Sequence, residues 1–226
     1  VLVQAGGSPA GIQTSAQFVE LAFGFGGSVA AQQKYRESLD AAVAAAGRDP
    51  LSVGVLWATQ LIVGRTAAEA DERRRSVLSF WNEEAVGAHI SHNAGFDFST
   101  LPARFHLGDL ADRIRAAEAS PGGLVGMLVS ELGPDHTMTR AEFFEHGWRH
   151  ATGMDHTLVG SAEQVADALE ENFAATGARG GYMLSSPLAT PSGLADIAEL
   201  LLPELRRRGA LAPRYPGRTL RENLRG

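Results

Sequence analysis

Val1-Leu2-Val3-Gln4-Ala5-Gly6-Gly7-Ser8-Pro9-Ala10-Gly11 reads as a strand, a tight turn and the entry of a helix. The first five residues are apolar except Gln4, the pattern of a strand buried on both faces. Gly6-Gly7 turns the chain. Ser8 is placed to cap a helix whose first position is Pro9, where the missing N–H costs nothing. A strand feeding directly into a capped helix is the unit from which parallel α/β sheets are built. A chain that opens inside such a strand is expected to have further residues upstream.

The same unit recurs downstream. The first helix runs to about Val19, and Leu21–Phe25 is a second apolar run closed by Gly26-Gly27. Ser28 caps a helix that Gly47 ends near Ala46. Arg48-Asp49-Pro50 is a loop, and Val53–Val63 is a third run, rich in β-branched and aromatic residues. Thr66 with Glu69 forms a capping box, predicting a helix through Asn82 and beyond. From Glu84 to Asp155 the pattern loosens into short helices with Gly and Pro breaks. Ser161 with Gln164 is a second capping box, opening a helix that Gly177 stops after Thr176. Gly180–Ser185 is a fourth strand, and Leu194–Gly209 a last amphipathic helix.

Composition narrows the function. The 226 residues are 44% hydrophobic and 20% charged, enough apolar material for a sizeable core in one or two domains. There is no cysteine, which excludes disulfides, thiolate metal sites and thiol nucleophiles and is compatible with a reducing cytoplasm. A net charge of −6 argues against nucleic acid as a partner, and no apolar run is long enough for a membrane helix. Charge is uneven: residues 206–226 carry seven arginines and one acid, Glu222. The plain reading of that basic tail is a segment folded over an acidic body or an interface between protomers; a membrane or nucleic-acid arm would need aromatic or apolar anchors it lacks.

Besides the opening segment, several stretches resemble one family in the same order. They are Ala46-Gly47-Arg48-Asp49-Pro50, Val63-Gly64-Arg65-Thr66-Ala67-Ala68-Glu69-Ala70, Gly95-Phe96-Asp97-Phe98-Ser99, Leu158-Val159-Gly160-Ser161-Ala162-Glu163-Gln164-Val165-Ala166-Asp167, Pro203-Glu204-Leu205-Arg206-Arg207-Arg208-Gly209 and Tyr215-Pro216-Gly217-Arg218-Thr219-Leu220-Arg221-Glu222. The family is the luciferase-like flavin monooxygenases, in the branch of nitrilotriacetate, dibenzothiophene-sulfone and long-chain alkane monooxygenases. The resemblance implies an α/β fold: the C-terminal half, strands five to eight, of a TIM-like (β/α)8 barrel. It makes residues 1–226 one half-barrel, 84–155 a helical insertion or lid before the last strand, and 206–226 a basic tail. It implies a cytoplasmic two-component monooxygenase that takes reduced FMN from a separate NAD(P)H:flavin reductase and inserts one oxygen atom of O2 into a small organic substrate, as a homo-oligomer. It also implies that this half alone is not a competent flavoenzyme. Two other readings share the residues: a deazaflavin-dependent oxidoreductase of the same superfamily, and a non-enzymatic half-barrel interaction module.

Candidate site residues follow. Phosphate binding needs convergent N–H donors at a positive helix end, and glycines let a ligand approach backbone closely. Gly6-Gly7-Ser8-Pro9-Ala10-Gly11 has that form, although a plain Ser-Pro helix start has it too. The resemblance makes Ala5, Gly6, Gly7, Ser8, Ala10 and Gly11 the FMN-binding set; since Pro9 has no N–H, Ser8, Ala10 and Gly11 must make the contact. It makes His92 the catalytic residue, a side chain able to hold a proton or hydrogen bond near neutral pH; the plain reading is a helix-end histidine. His146 and His150, at i, i+4 with Glu142 nearby, are the spacing of a metal pair but not the His-Glu-x-x-His order, and they read as a solvated lid helix; no metal is assigned. Trp57 and Gln60 either line the cavity or pack in the core. Gly-x-Ser-x-Gly and Gly-x-Gly-x-x-Gly are both absent.

Overall fold

The computed structural model describes residues 1–25, 27–80, 82–119, 123–187 and 190–225. Gly26 of the expected turn, Trp81 within the expected long helix and Gly226 of the tail lie outside the described residues. Elements run in the order β1 (Val3–Ala5), α1 (Pro9–Phe18), β2 (Leu21–Phe25), α2 (Val29–Ala45), β3 (Gly54–Gly64), α3 (Ala67–Ser79) and α4 (Glu83–Ala94). Then come β4 (Arg104–His106), α5 (Leu107–Ala116), α6 (Leu124–Leu132), β5 (Thr137–Thr139) and α7 (Arg140–Thr152). The chain ends with β6 (Leu158–Ser161), α8 (Ala162–Ala175), β7 (Gly180–Ser185), α9 (Pro191–Asp196), a π turn over Ile197–Leu201, α10 (Leu202–Arg207) and α11 (Leu220–Arg225). Two compact units result: residues 1–75 with 156 onward, and residues 76–155.

The first unit is an α/β fold on a parallel sheet. β1 pairs β2 and β2 pairs β3, while β3 also pairs β7 along residues 55–60 and β6 along 61–64. Side chains paired across parallel strands share a face. On one face Val55 and Trp57 are buried with Ala16 of α1, Val19 just beyond it, and Leu39 and Val43 of α2. Further along β3, Leu61 and Val63 pack with Val165, Leu169, Ile197 and Leu201. The opposite face is less covered: Val3 is 51% and Met183 45% exposed.

This corrects the buried strand expected over Val1–Ala5. The strand is three residues long and pairs only β2 among the described residues, and Leu2 and Val3 are exposed there. An apolar run reports which side chains avoid water, not whether anything covers them. The other strands fall within a residue of expectation, and β6 is an additional one. The helix expected from Thr66 through Asn82 is also corrected. It stops at Ser79, and Asn82 starts a new helix by accepting the Ala85 N–H at 2.9 Å. Asn favours such capping over a helix interior. The Thr66 box is only half formed: Thr66 Oγ1 accepts the Glu69 N–H, but the Glu69 carboxylate accepts the N–H of Arg65. Ser161 and Gln164 form the full box.

The second unit packs its helices around aromatic rings, with Phe98, Phe143 and Phe144 fully buried. Its two short strands, β4 and β5, pair antiparallel with Phe105 opposite Met138; they escape a reading of sequence, because three residues carry no period.

The basic tail is answered by acids of its own unit. Arg208 meets Asp167 and Glu170, and Arg221 places two guanidinium nitrogens on the carboxylate of Glu20. Glu204 is 11% exposed. Hydrogen bonds from Arg207 and then Arg208 pull its carboxyl down to about 2. A depressed carboxyl stabilises the fold above the unfolded pKa near ~4.3 and loses that contribution as pH falls toward 2. Glu204→Gln should therefore melt below the wild type at pH 7, the two melting temperatures converging between about pH 4.5 and 2. Equal melting temperatures at pH 7 would contradict the assignment. Among the described residues no helix is long and apolar enough to cross a membrane.

Candidate functional site

Ala5 ends β1, and the chain turns at once into α1. Two glycines make that turn possible. A Cβ on Gly6 would stand 3.1 Å from the Gly11 Cα, and one on Gly11 would stand 3.0 Å from the Gly6 Cα, so the loop lies directly on the first turn of the helix. Gly7 differs: a Cβ there would meet nothing within 4 Å. Ser8 caps as expected, its Oγ accepting the Gly11 N–H at 3.1 Å while its carbonyl accepts from Ile12 at 2.9 Å.

That cap changes which donors are free. The Gly11 N–H, expected to face a ligand, is taken by Ser8. Among the described residues the N–H groups of Gly7, Ser8 and Ala10 have no partner, and the Ser8 hydroxyl retains its own proton. They sit at the positive end of a ten-residue helix whose first turn holds no acid. Phosphate chemistry therefore suits the segment, through Gly7 in place of Gly11.

The loop is braced from behind. Tyr35 of α2 donates to the Gly6 carbonyl at 3.4 Å. Its ring meets Trp57 edge-on at 5.7 Å, and the Trp57 ring occupies the space where a side chain on Gly24 would be, 2.5 Å from that Cβ. Burial pushes the Tyr35 hydroxyl above its ordinary pKa, with the neighbouring Arg36 charge opposing. So Trp57 is core, 2% exposed, and it belongs to the scaffold beneath the loop. Gln60 accepts from the Thr157 hydroxyl at 3.2 Å. No sequence pattern points to Tyr35; its link to Gly6 joins residues 29 apart.

His92 lies in the second unit, in the last turn of α4 before Gly95, which ends the helix at φ +68°. Its side chain is exposed and makes no hydrogen bond among the described residues. His146 and His150 follow one another on α7, and His146 shares a small recess with Glu142, Glu145 and Arg149. Glu142 is held by the capping box at Thr139, whose N–H, then hydroxyl, keep its carboxyl below the usual range. No three His, Asp or Glu side chains among the described residues converge to hold a metal ion.

No protein-family model matches the chain. Among curated proteins it is 27% identical over 226 residues to dibenzothiophene-sulfone monooxygenase of Rhodococcus erythropolis, covering 99% of this chain and 48% of the relative. It is 24% identical to long-chain alkane monooxygenase of Geobacillus thermodenitrificans, covering 100% and 44%. Among solved structures, a riboflavin lyase crystallised with modified FMN and riboflavin superposes with a TM-score of 0.74 at 27% identity, over 99% of this chain and 46% of that one. The chain is homologous to the luciferase-like monooxygenases. It spans about half the length of the curated luciferase-like relatives it matches.

Proposed function

We propose that this chain is part of a flavin-dependent luciferase-like monooxygenase and that the Ala5–Gly11 loop holds the phosphate of FMN. The observation that carries the reading is the set of unpartnered donors on Gly7, Ser8 and Ala10 at the start of α1, directly after a glycine turn. Bound reduced FMN would supply the chemistry with O2. The chain's part is to fix the phosphate by backbone donors, Gly7 letting it come close, while Tyr35 and Trp57 keep the loop rigid. His92, exposed on α4, is proposed to present a hydrogen-bonding imidazole to the reacting groups. A small organic substrate, a separate flavin reductase and self-association complete the reading, in which 84–155 acts as a lid.

In the full-length protein Ser8→Ala should raise the FMN dissociation constant about fivefold, the worth of one hydrogen bond at ~1 kcal/mol, and leave riboflavin binding unchanged. Because Ser8 also caps the helix, Ser8→Asp is the companion variant: it keeps a capping oxygen but sets a negative charge against the phosphate, and should weaken FMN further. FMN titration by flavin fluorescence, with melting temperatures alongside, reads both. An FMN affinity that neither variant changes removes the loop from the site.

A further inference from the structure

The second unit contains a cavity of about 280 Å³ that the proposed function does not use. Its apolar floor includes Ile90, Phe98 and Leu124, and its polar wall is His89 and Asn93 of α4 with His150 of α7. His92 is not among its lining residues.

The polar wall has one character. Asn93 Nδ2 lies 3.1 Å from His89 Nε2. An amide donating there leaves the ring's own proton on Nδ1, a donor still available. His150 makes no side-chain hydrogen bond among the described residues, so its ring can donate as well. α6 begins at the same cavity, and its N-cap, Gly123, has no side chain with which to cap it, while Leu124 and Val125 of its first turn line the wall. No carboxylate lines the cavity among the described residues. A concave site with an apolar floor and a few convergent polar groups is the usual form of a small-molecule site. Here the side chains of the wall, two imidazoles and an amide, can donate hydrogen bonds, and no side-chain carboxylate stands among them within the described residues.

We infer that this cavity binds a small organic anion, with its apolar body against Ile90, Phe98 and Leu124 and its carboxylate or other acidic head between His89 and His150. The volume suits a single ring or a short chain, not a cofactor. The inference does not depend on where flavin binds.

4-Fluorobenzoate is the probe, followed by fluorine NMR on the full chain, with 4-fluorotoluene as its neutral counterpart. Saturable binding of the carboxylate, with at least tenfold weaker binding of 4-fluorotoluene, is expected. His150→Gln and His89→Gln, both at exposed positions, should each weaken 4-fluorobenzoate at least threefold with the fold intact by circular dichroism. Asn93→Asp, which adds a negative charge to the wall, should weaken it more. No saturation up to 20 mM, equal binding of the two probes, or histidine variants that bind 4-fluorobenzoate like the wild type would each overturn the inference.

Discussion

Gly180→Ala is expected to destabilise the first unit by about 3 kcal/mol or more, on two grounds that add. Gly180 sits at φ +107°, a conformation L side chains rarely adopt, and forcing one into it costs roughly 1–2 kcal/mol. Its missing side chain also matters to the neighbour: a Cβ there would lie 2.0 Å from the Val55 carbonyl oxygen and 2.5 Å from the Val55 nitrogen. Those are backbone atoms of β3, so relief means pushing β7 off the strand it pairs with, an overpacking cost of typically ~1–3 kcal/mol. Urea unfolding of the variant against the wild type checks this. Gly181→Ala is the control, since a Cβ at Gly181 meets nothing within 4 Å. If the two variants were equally stable, the register of β7 on β3 would be wrong.

Phe143→Ala should act as strongly in the second unit. Phe143 is fully buried, and its ring lies 5.2 Å from Phe98 and 5.7 Å from both Phe105 and Phe144. Truncating such a ring leaves a cavity that neighbours close only in part, at a cost of about 3–5 kcal/mol. Hydrogen exchange within α4 and α7 should accelerate accordingly, by roughly two orders of magnitude or more. Phe143→Leu keeps most of the volume and should show a much smaller change. Exchange in α4 and α7 left unaltered by the alanine variant would mean that the ring is not the keystone of this core.

What can be read from sequence is local. Ser8-Pro9, Ser28 with Gly47, and Ser161 with Gln164 each solve the problem of unpaired helix-end groups within a few residues, or one helix length, so their residue types betray them. Leu21–Phe25, Val53–Val63 and Gly180–Ser185 are long enough to show a strand pattern. Apart from the helix break at Asn82, the half-formed Thr66 box and the three-residue strands, the failures involve a partner distant in sequence. Nothing in Val1–Ala5 says which strands pair with it. Trp57 fits a cavity as well as a core until Gly24 is seen opposite it. The helix start at Ser8–Gly11 is legible, but the allocation of the Gly11 N–H to Ser8 is a matter of geometry, and Tyr35 reaches Gly6 from another helix. His89 and His150 lack the spacing of metal ligands, and the cavity they share depends on α4, α6 and α7 meeting.

β3 pairs with strands on both sides of the residue 76–155 segment in the chain. To the sheet, everything between β3 and β6 is a closed loop, and the entropy of closing a loop grows only with the logarithm of its length, about 0.6 kcal/mol for each doubling. The segment could thus lengthen, shorten or be exchanged for another folded unit at little thermodynamic expense to the strands that flank it. The time needed to find the β3–β6 pairing is another matter, since contacts far apart in sequence form slowly. Variation in that segment is therefore expected to be felt in the rate at which the sheet closes more than in how firmly it stays closed.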